Sequence, residues 1–180
     1  YTNGEKALAI INTGNLGYYS DTARNVKLSL ILGYGGPARG KGPFYLHGIN
    51  RFKYTIYPHV GDWRKAKTVR RALEVNTPLI AFATEVHKGG LGRQKSFVRI
   101  SPSNAILSAM ICSRESKELT LRLFETEGRA CTATIRLHKT IKEAWESDLR
   151  GRKSKSLTVR GNSVEGALRP WGLLCMKVAL

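Results

Sequence analysis

The sequence predicts a mainly β protein built as a β-sandwich, with one amphipathic helix near 62–76. Three observations predict it. Apolar and β-branched residues alternate or cluster over short stretches bounded by Gly, Pro, Asn and Ser, the pattern of half-buried strands. One stretch alone shows helical spacing. Hydrophobic residues at 42% and charged residues at 24% are globular values, and no apolar run approaches the roughly 20 residues of a membrane helix.

Taken in order, strands are expected at 7–11, 26–32, 52–57, 79–82, 97–100, 105–112, 119–124, 130–137, 157–159 and 171–180. The clearest alternation is Leu119-Thr120-Leu121-Arg122-Leu123, which sends three leucines to one face and Thr and Arg to the other. The helix is expected from Asp62, a good N-cap, through Ala66, Val69, Ala72 and Leu73 at three- and four-residue steps, with Asn76 and Pro78 as its stop. Glycines gather in 33–42 and 89–92, which read as loops. The second cluster marks the expected boundary between domains of 1–95 and 96–180. A chain that begins at Tyr1 rather than Met is expected to be processed or cut from something longer.

Thirty Lys and Arg against thirteen Asp and Glu leave a net charge of +17. The densest basic runs are 64–71 and 150–155. Such runs attract phosphates or acidic polymers, but no RNP-type run, zinc-finger spacing or helix-turn-helix pattern accompanies them. Nucleic acid is therefore not the expected partner, and solvated faces, or a face meeting an acidic domain, account for the charge. Cys112, Cys131 and Cys175 are odd in number and widely spaced, so neither a disulfide framework nor a zinc ribbon is written here. Each lies in a strand-like segment, where a buried free thiol is expected. A cytoplasmic location follows from free thiols, and no membrane association is expected.

Hydrolytic or metal chemistry needs converging His, Asp, Glu or Cys. His47, His59, His87 and His138 are scattered, and no HxH, HExxH or Cys-His cluster exists. No GxSxG elbow occurs. Glu125 with Glu127, and Glu143 with Glu146, are the nearest approaches to a carboxylate pair. The first pair shares one strand face with no cleft implied, and Glu125 is read as a partner in a rim ion pair. The second brackets Trp145 in a loop-like stretch. The glycine loops lack the Lys-Ser/Thr of a phosphate cradle.

The stretch Arg51-Phe52-Lys53-Tyr54-Thr55-Ile56-Tyr57-Pro58-His59-Val60-Gly61-Asp62-Trp63, with Ala66, Ala72, Glu74, Asn76, Pro78 and Leu79 after it, resembles the C-terminal β-region of glycoside hydrolase family 38 α-mannosidases. The resemblance continues through Ser96-Phe97-Val98-Arg99-Ile100, Asn104 to Ser108, Leu121-Arg122-Leu123-Phe124-Glu125 with Gly128, Ala144 to Leu149, and the closing Arg169-Pro170-Trp171. Gly33, Arg150 and Gly172 depart from the family pattern at single positions. The resemblance implies part of a large β-sandwich over 1–95 followed by a small terminal β-sandwich domain over 96–180, together the non-catalytic C-terminal region of a retaining α-mannosidase that supports the catalytic domain and helps to shape the sugar cleft. No cofactor is expected in this chain, because the family's divalent metal, such as zinc, and its nucleophile belong to an N-terminal domain. The chain alone is expected to be inactive. Its implied partners are that N-terminal catalytic domain of the same polypeptide and mannose-containing glycans. Self-association is expected where missing strands leave an apolar sheet face open.

Two residues are candidates for substrate binding. His59 either faces the sugar cleft or is a structural imidazole tied to backbone. Trp63 offers a flat face for stacking on a sugar, or locks the helix to the sheet. Two other readings stay open: a stand-alone carbohydrate-binding or structural β-module, and a basic nucleic-acid-binding protein.

Overall fold

A computed structural model describes residues 5–14, 17–20, 26–29, 48–113 and 117–180. The chain divides into two compact units, Tyr1–Phe82 and Ala83–Leu180. In the first, β1 (Lys6–Asn12) pairs antiparallel with β4 (Tyr54–Val60), and β2 (Gly17–Ser20) with β3 (Val26–Ser29). The expected strand 52–57 thus runs on through Pro58 and His59. The Gly-rich loop expected at 33–42, the end of the strand expected at 26–32, and Gly33 itself lie outside the described residues.

The helix is shorter than its spacing predicts. α1 covers Thr68–Asn76, and residues 63–67 form turns ahead of it. Lys67, at the N-cap position, takes a left-handed conformation, φ 53°, which no regular helix can pass through. Asp62 still caps locally, since its Oδ1 accepts the Lys65 N–H at 2.8 Å. That bond, with the Arg64 N–H and the charges of Arg64 and Lys65, holds its carboxyl below the usual range even as desolvation works against it. Asn76 ends the helix on β1: its Nδ2 donates to Asn12 O at 3.1 Å and its Oδ1 accepts from Thr13 Oγ1 at 3.0 Å. The strand expected at 79–82 does not form, and Leu79, Ile80 and Phe82 stand exposed.

The second unit is a two-sheet sandwich. Its strands are β5 (Val98–Ser101), β6 (Ala105–Cys112), β7 (Glu118–Glu125), β8 (Cys131–Leu137), β9 (Glu143–Ser147), β10 (Lys153–Ser156), β11 (Val159–Arg160), β12 (Ser163–Leu168) and β13 (Leu173–Ala179). One sheet has the order β10-β9-β13-β7-β6 and the other β11-β12-β8-β5. Strict alternation fills the space between them. Leu119, Leu121 and Leu123 of β7, with Leu174, Met176 and Val178 of the neighbouring β13, face Ala133, Ile135, Leu137, Val164 and Leu168 of the other sheet in one core. Burial of such side chains contributes about 1.5–3 kcal/mol each.

Several expectations change here. Glu143–Ser147 is a strand, not a loop-like stretch, because Ala144 and Ser147 alternate inward and outward of a sheet that β13 and β10 complete on both sides. β12 is a strand that the apolar pattern does not signal, because its middle inward residue is Gly166. A Cβ there would lie 2.4 Å from Met176 Cε and 2.7 Å from Leu174 Cδ2, so the facing sheet occupies that space. Cys175 is buried as expected, and burial pushes the half-buried Cys131 thiol up. Cys112, at the end of the edge strand β6, is exposed.

The alternation has a direct energetic consequence. Leu121→Ala is expected to destabilise the second unit by about 2–5 kcal/mol. Thr120→Ala, one residue away on the outward face, should change it by less than about 0.5 kcal/mol. Urea unfolding followed by circular dichroism measures both.

Candidate functional site

His59 and Trp63 both belong to the first unit, but different contacts hold them. On the face of β4 that turns toward the helix stand Thr55, Tyr57 and His59, all half-buried. Tyr57 donates its hydroxyl to Ala66 O at 3.2 Å, and its ring centroid lies 5.4 Å from that of His59. His59 Nδ1 is buried and has no partner. Trp63 sits in the turn ahead of α1, half-buried, with the Arg64 guanidinium 4.3 Å above its ring. Its backbone carbonyl accepts the Thr68 N–H at 3.0 Å, so the residue also closes the turn.

The second unit holds a polar cluster at one end of its sandwich. Glu125 is only 2% exposed. It lies on the inward face of β7, two residues beyond Leu123. One carboxylate oxygen accepts from Asn104 Nδ2 and the Glu127 N–H, both at 2.8 Å; the other accepts from the Gly128 N–H at 2.7 Å and the Trp171 N–H at 3.0 Å. No cation takes part, so the expected rim ion pair is not formed. The arginine that pairs nearby is Arg129, and its partner is Glu127. Burial pushes the Glu125 carboxyl up, and the donors from Trp171, Asn104, Glu127 and Gly128 together outweigh it, bringing the group from 4.5 down to about 2.

Local backbone geometry builds this shell. Gly128 has φ +73°, and a Cβ there would lie 2.6 Å from the Trp171 ring, so only glycine lets the turn close under that indole. Trp171 itself has φ 57° and turns its N–H toward Glu125. Asn104 makes three further bonds: its carbonyl accepts from the Thr126 N–H and Oγ1, and its Nδ2 also donates to Arg129 O. Reading the Leu119 alternation two steps further would have turned Glu125 inward. The donors that meet it come from residues 104, 127, 128 and 171, and only the fold brings them together.

A carboxylate with four fixed donors is held as an anion and has little tendency to take a proton, so this cluster suits structure better than acid catalysis. Among the described residues no three His, Cys, Asp or Glu side chains come together to hold a metal ion. Among the described residues, no helix is long and apolar enough to cross a membrane.

Residues 104–172 match the family model for the glycosyl hydrolases family 38 C-terminal beta sandwich domain. The chain is 25% identical over 138 residues to human alpha-mannosidase 2C1, an alignment that takes in 74% of this chain and 13% of that protein. It also resembles the crystal structure of an alpha-mannosidase from Enterococcus faecalis, with a TM-score of 0.78 and 17% identity over 99% of this chain and 20% of the other. At that identity the likeness is one of fold. The chain spans about an eighth to a fifth of the length of these two relatives.

The Glu125 shell makes stability depend on pH in a defined direction. Its carboxyl lies near 2 in the folded chain against 4.5 in an ordinary setting. The stabilisation is therefore complete above pH 4.5 and is lost as pH falls toward 2, about 3 kcal/mol in all. Glu125→Gln is expected to cost about 3 kcal/mol at pH 7 and to lose most of this penalty near pH 2. Urea midpoints measured across that range check both.

Proposed function

We propose that this chain, which carries the glycosyl hydrolases family 38 C-terminal β-sandwich domain over residues 104–172, is the non-catalytic C-terminal β-region of a retaining α-mannosidase. The observation that carries the reading is that the matched residues fall within a two-sheet sandwich running from Val98 to Ala179. In such an enzyme a carboxylate nucleophile and a second carboxyl group act on the glycosidic bond through a covalent intermediate. In this reading both belong to an N-terminal catalytic domain of the same polypeptide, together with the divalent metal. This region then contributes packing surface, and mannose-containing glycans are the substrates of the whole protein. His59 and Trp63 are its proposed contributions to the sugar cleft.

The first unit supports a packing role for a separate reason. The outward face of its β1–β4 ribbon carries Leu8, Ile10, Tyr54, Ile56, Pro58 and Val60, with Ile56 57% and Val60 76% exposed. Helix α1 packs at the other face. A two-stranded ribbon with an open apolar side is marginal in water until another layer covers it. The remaining strands of a large sandwich supply such a layer, and in their absence a second copy of this chain does.

Two measurements test the proposal. The isolated chain, supplied with zinc or cobalt and a chromogenic α-mannoside, is expected to give no turnover; hydrolysis by these residues alone refutes the non-catalytic reading. In sedimentation the isolated chain is expected to associate with rising concentration, and Ile10→Lys with Ile56→Lys to restore a monomer. A monodisperse parent chain counts against the covered-face argument.

A further inference from the structure

The outward face of the four-stranded sheet carries a row of arginines aligned by strand register. Arg160 on β11 lies opposite Ser163 on β12, Ser163 opposite Arg136 on β8, and Arg136 opposite Arg99 on β5. All three arginines are exposed. Side chains directly opposed on antiparallel strands sit about 4.5–5.5 Å apart at Cβ, and like charges placed there repel. Neither Arg99 nor Arg136 makes an ion pair, and Glu165, one row along and opposite Thr134, makes none either.

The Arg99–Arg136 end of this row opens on a groove of about 480 Å³, lined also by Gln94, Lys95, His138 and Asn162. Its donors are held in place. Asn162 Nδ2 donates to Leu137 O at 2.8 Å, which fixes the amide so that Oδ1 accepts from Arg136 Nε at 3.2 Å. The two terminal nitrogens of Arg136 remain without an acceptor in the protein. The His138 ring stands edge-on to Phe97, centroids 5.6 Å apart at 84°, and its backbone N–H donates to Phe97 O.

The geometry points to an oxyanion site: a phosphate or sulfate ester of a small ligand, held between Arg99 and Arg136, with Lys95 and His138 at the rim. Guanidinium groups present paired donors that match tetrahedral oxyanions, and such an ion removes the repulsion between the two forks. A single ester is favoured over a polyanion. A polymer draws its affinity from several phosphate contacts in series, and Glu165 interrupts the positive surface one row away. The site is independent of the mannosidase reading, because it uses residues of the second unit alone.

The test titrates the full ¹⁵N-labelled chain, at constant ionic strength, with inorganic phosphate, inorganic sulfate, glucose 6-phosphate and a single-stranded oligonucleotide. The expected result is saturable shifts of the Arg99 and Arg136 Nε–Hε resonances and the His138 amide with the small anions. Tighter binding of glucose 6-phosphate identifies an ester site, and tighter binding of the inorganic ions a free-oxyanion site. Arg99→Gln and Arg136→Gln should each weaken binding at least about tenfold. Lys155→Gln, which removes the same charge from an exposed position on β10, should leave it unchanged. Non-saturating shifts, equal losses in all three variants, or binding of the oligonucleotide alone overturns the proposal. The shifts of the parent chain decide the matter if a variant fails to fold.

Discussion

Glu125 puts an unpaired negative charge inside the sandwich of the second unit, and the end of that sandwich is organised around satisfying it. Taking a carboxylate out of water costs several kcal/mol, and no cation is present to offset the cost. Four N–H donors meet it instead. Each charge-assisted hydrogen bond contributes about 1.5–3 kcal/mol, so the four together exceed the penalty, and the depressed titration follows from that balance. The donors come from the chain entering β6, from the turn after β7 and from the chain entering β13. Satisfying one carboxylate therefore aligns three neighbouring strands of the same sheet.

Three other acids are tied down in a comparable way. Glu118 lies 2.6 Å from Lys153 and 3.8 Å from Lys177. Lys153 in turn sits 3.6 Å over the Trp145 ring, joining β10 to β9. Asp148 turns the chain between β9 and β10 by accepting from the Arg150 and Arg152 N–H groups and from Arg152 Nε, which holds its carboxyl below the ordinary range. Glu74 pairs with Arg71 on the exposed side of α1. With thirteen acids against thirty bases, and these acids tied to turns and strand junctions, arginine is left unneutralised on sheet faces. The basic run at 150–155 is thus partly consumed inside the fold, whereas the row across β11, β12, β8 and β5 comes from residues far apart in sequence and forms no run at all.

That contrast shows what could be read before folding. The period-two pattern around Leu121 predicted a buried face correctly, because alternation depends only on neighbours along the chain. The resemblance read from Arg51 to Trp63 rests on local motifs in the same way. β12 carries no such signal, because packing against Met176 and Leu174 demands glycine where a hydrophobic residue would mark a strand. The apolar spacing extends the helix back to Asp62 because Asp62 does cap a turn, and the left-handed residue at Lys67 leaves no trace in that spacing. The Glu125 shell and the arginine row depend on contacts tens of residues apart, and periodicity does not carry such information.

The two units close their hydrophobic surface to different degrees. In the second, both sheets turn their leucine, isoleucine and valine faces to one core, and the charged side chains stand outside it or at its end. In the first, the β1–β4 ribbon carries α1 on one side and leaves its other apolar side in water. A free-standing binding module has little reason to keep such a face exposed, since burying it in a second layer gains about 25 cal/mol per Å². One layer of a larger sandwich has to keep it, because a strand face can complete a neighbouring sheet only while it remains apolar. The unequal closure of the two units follows directly if the first is part of a larger folded body and the second is complete in itself.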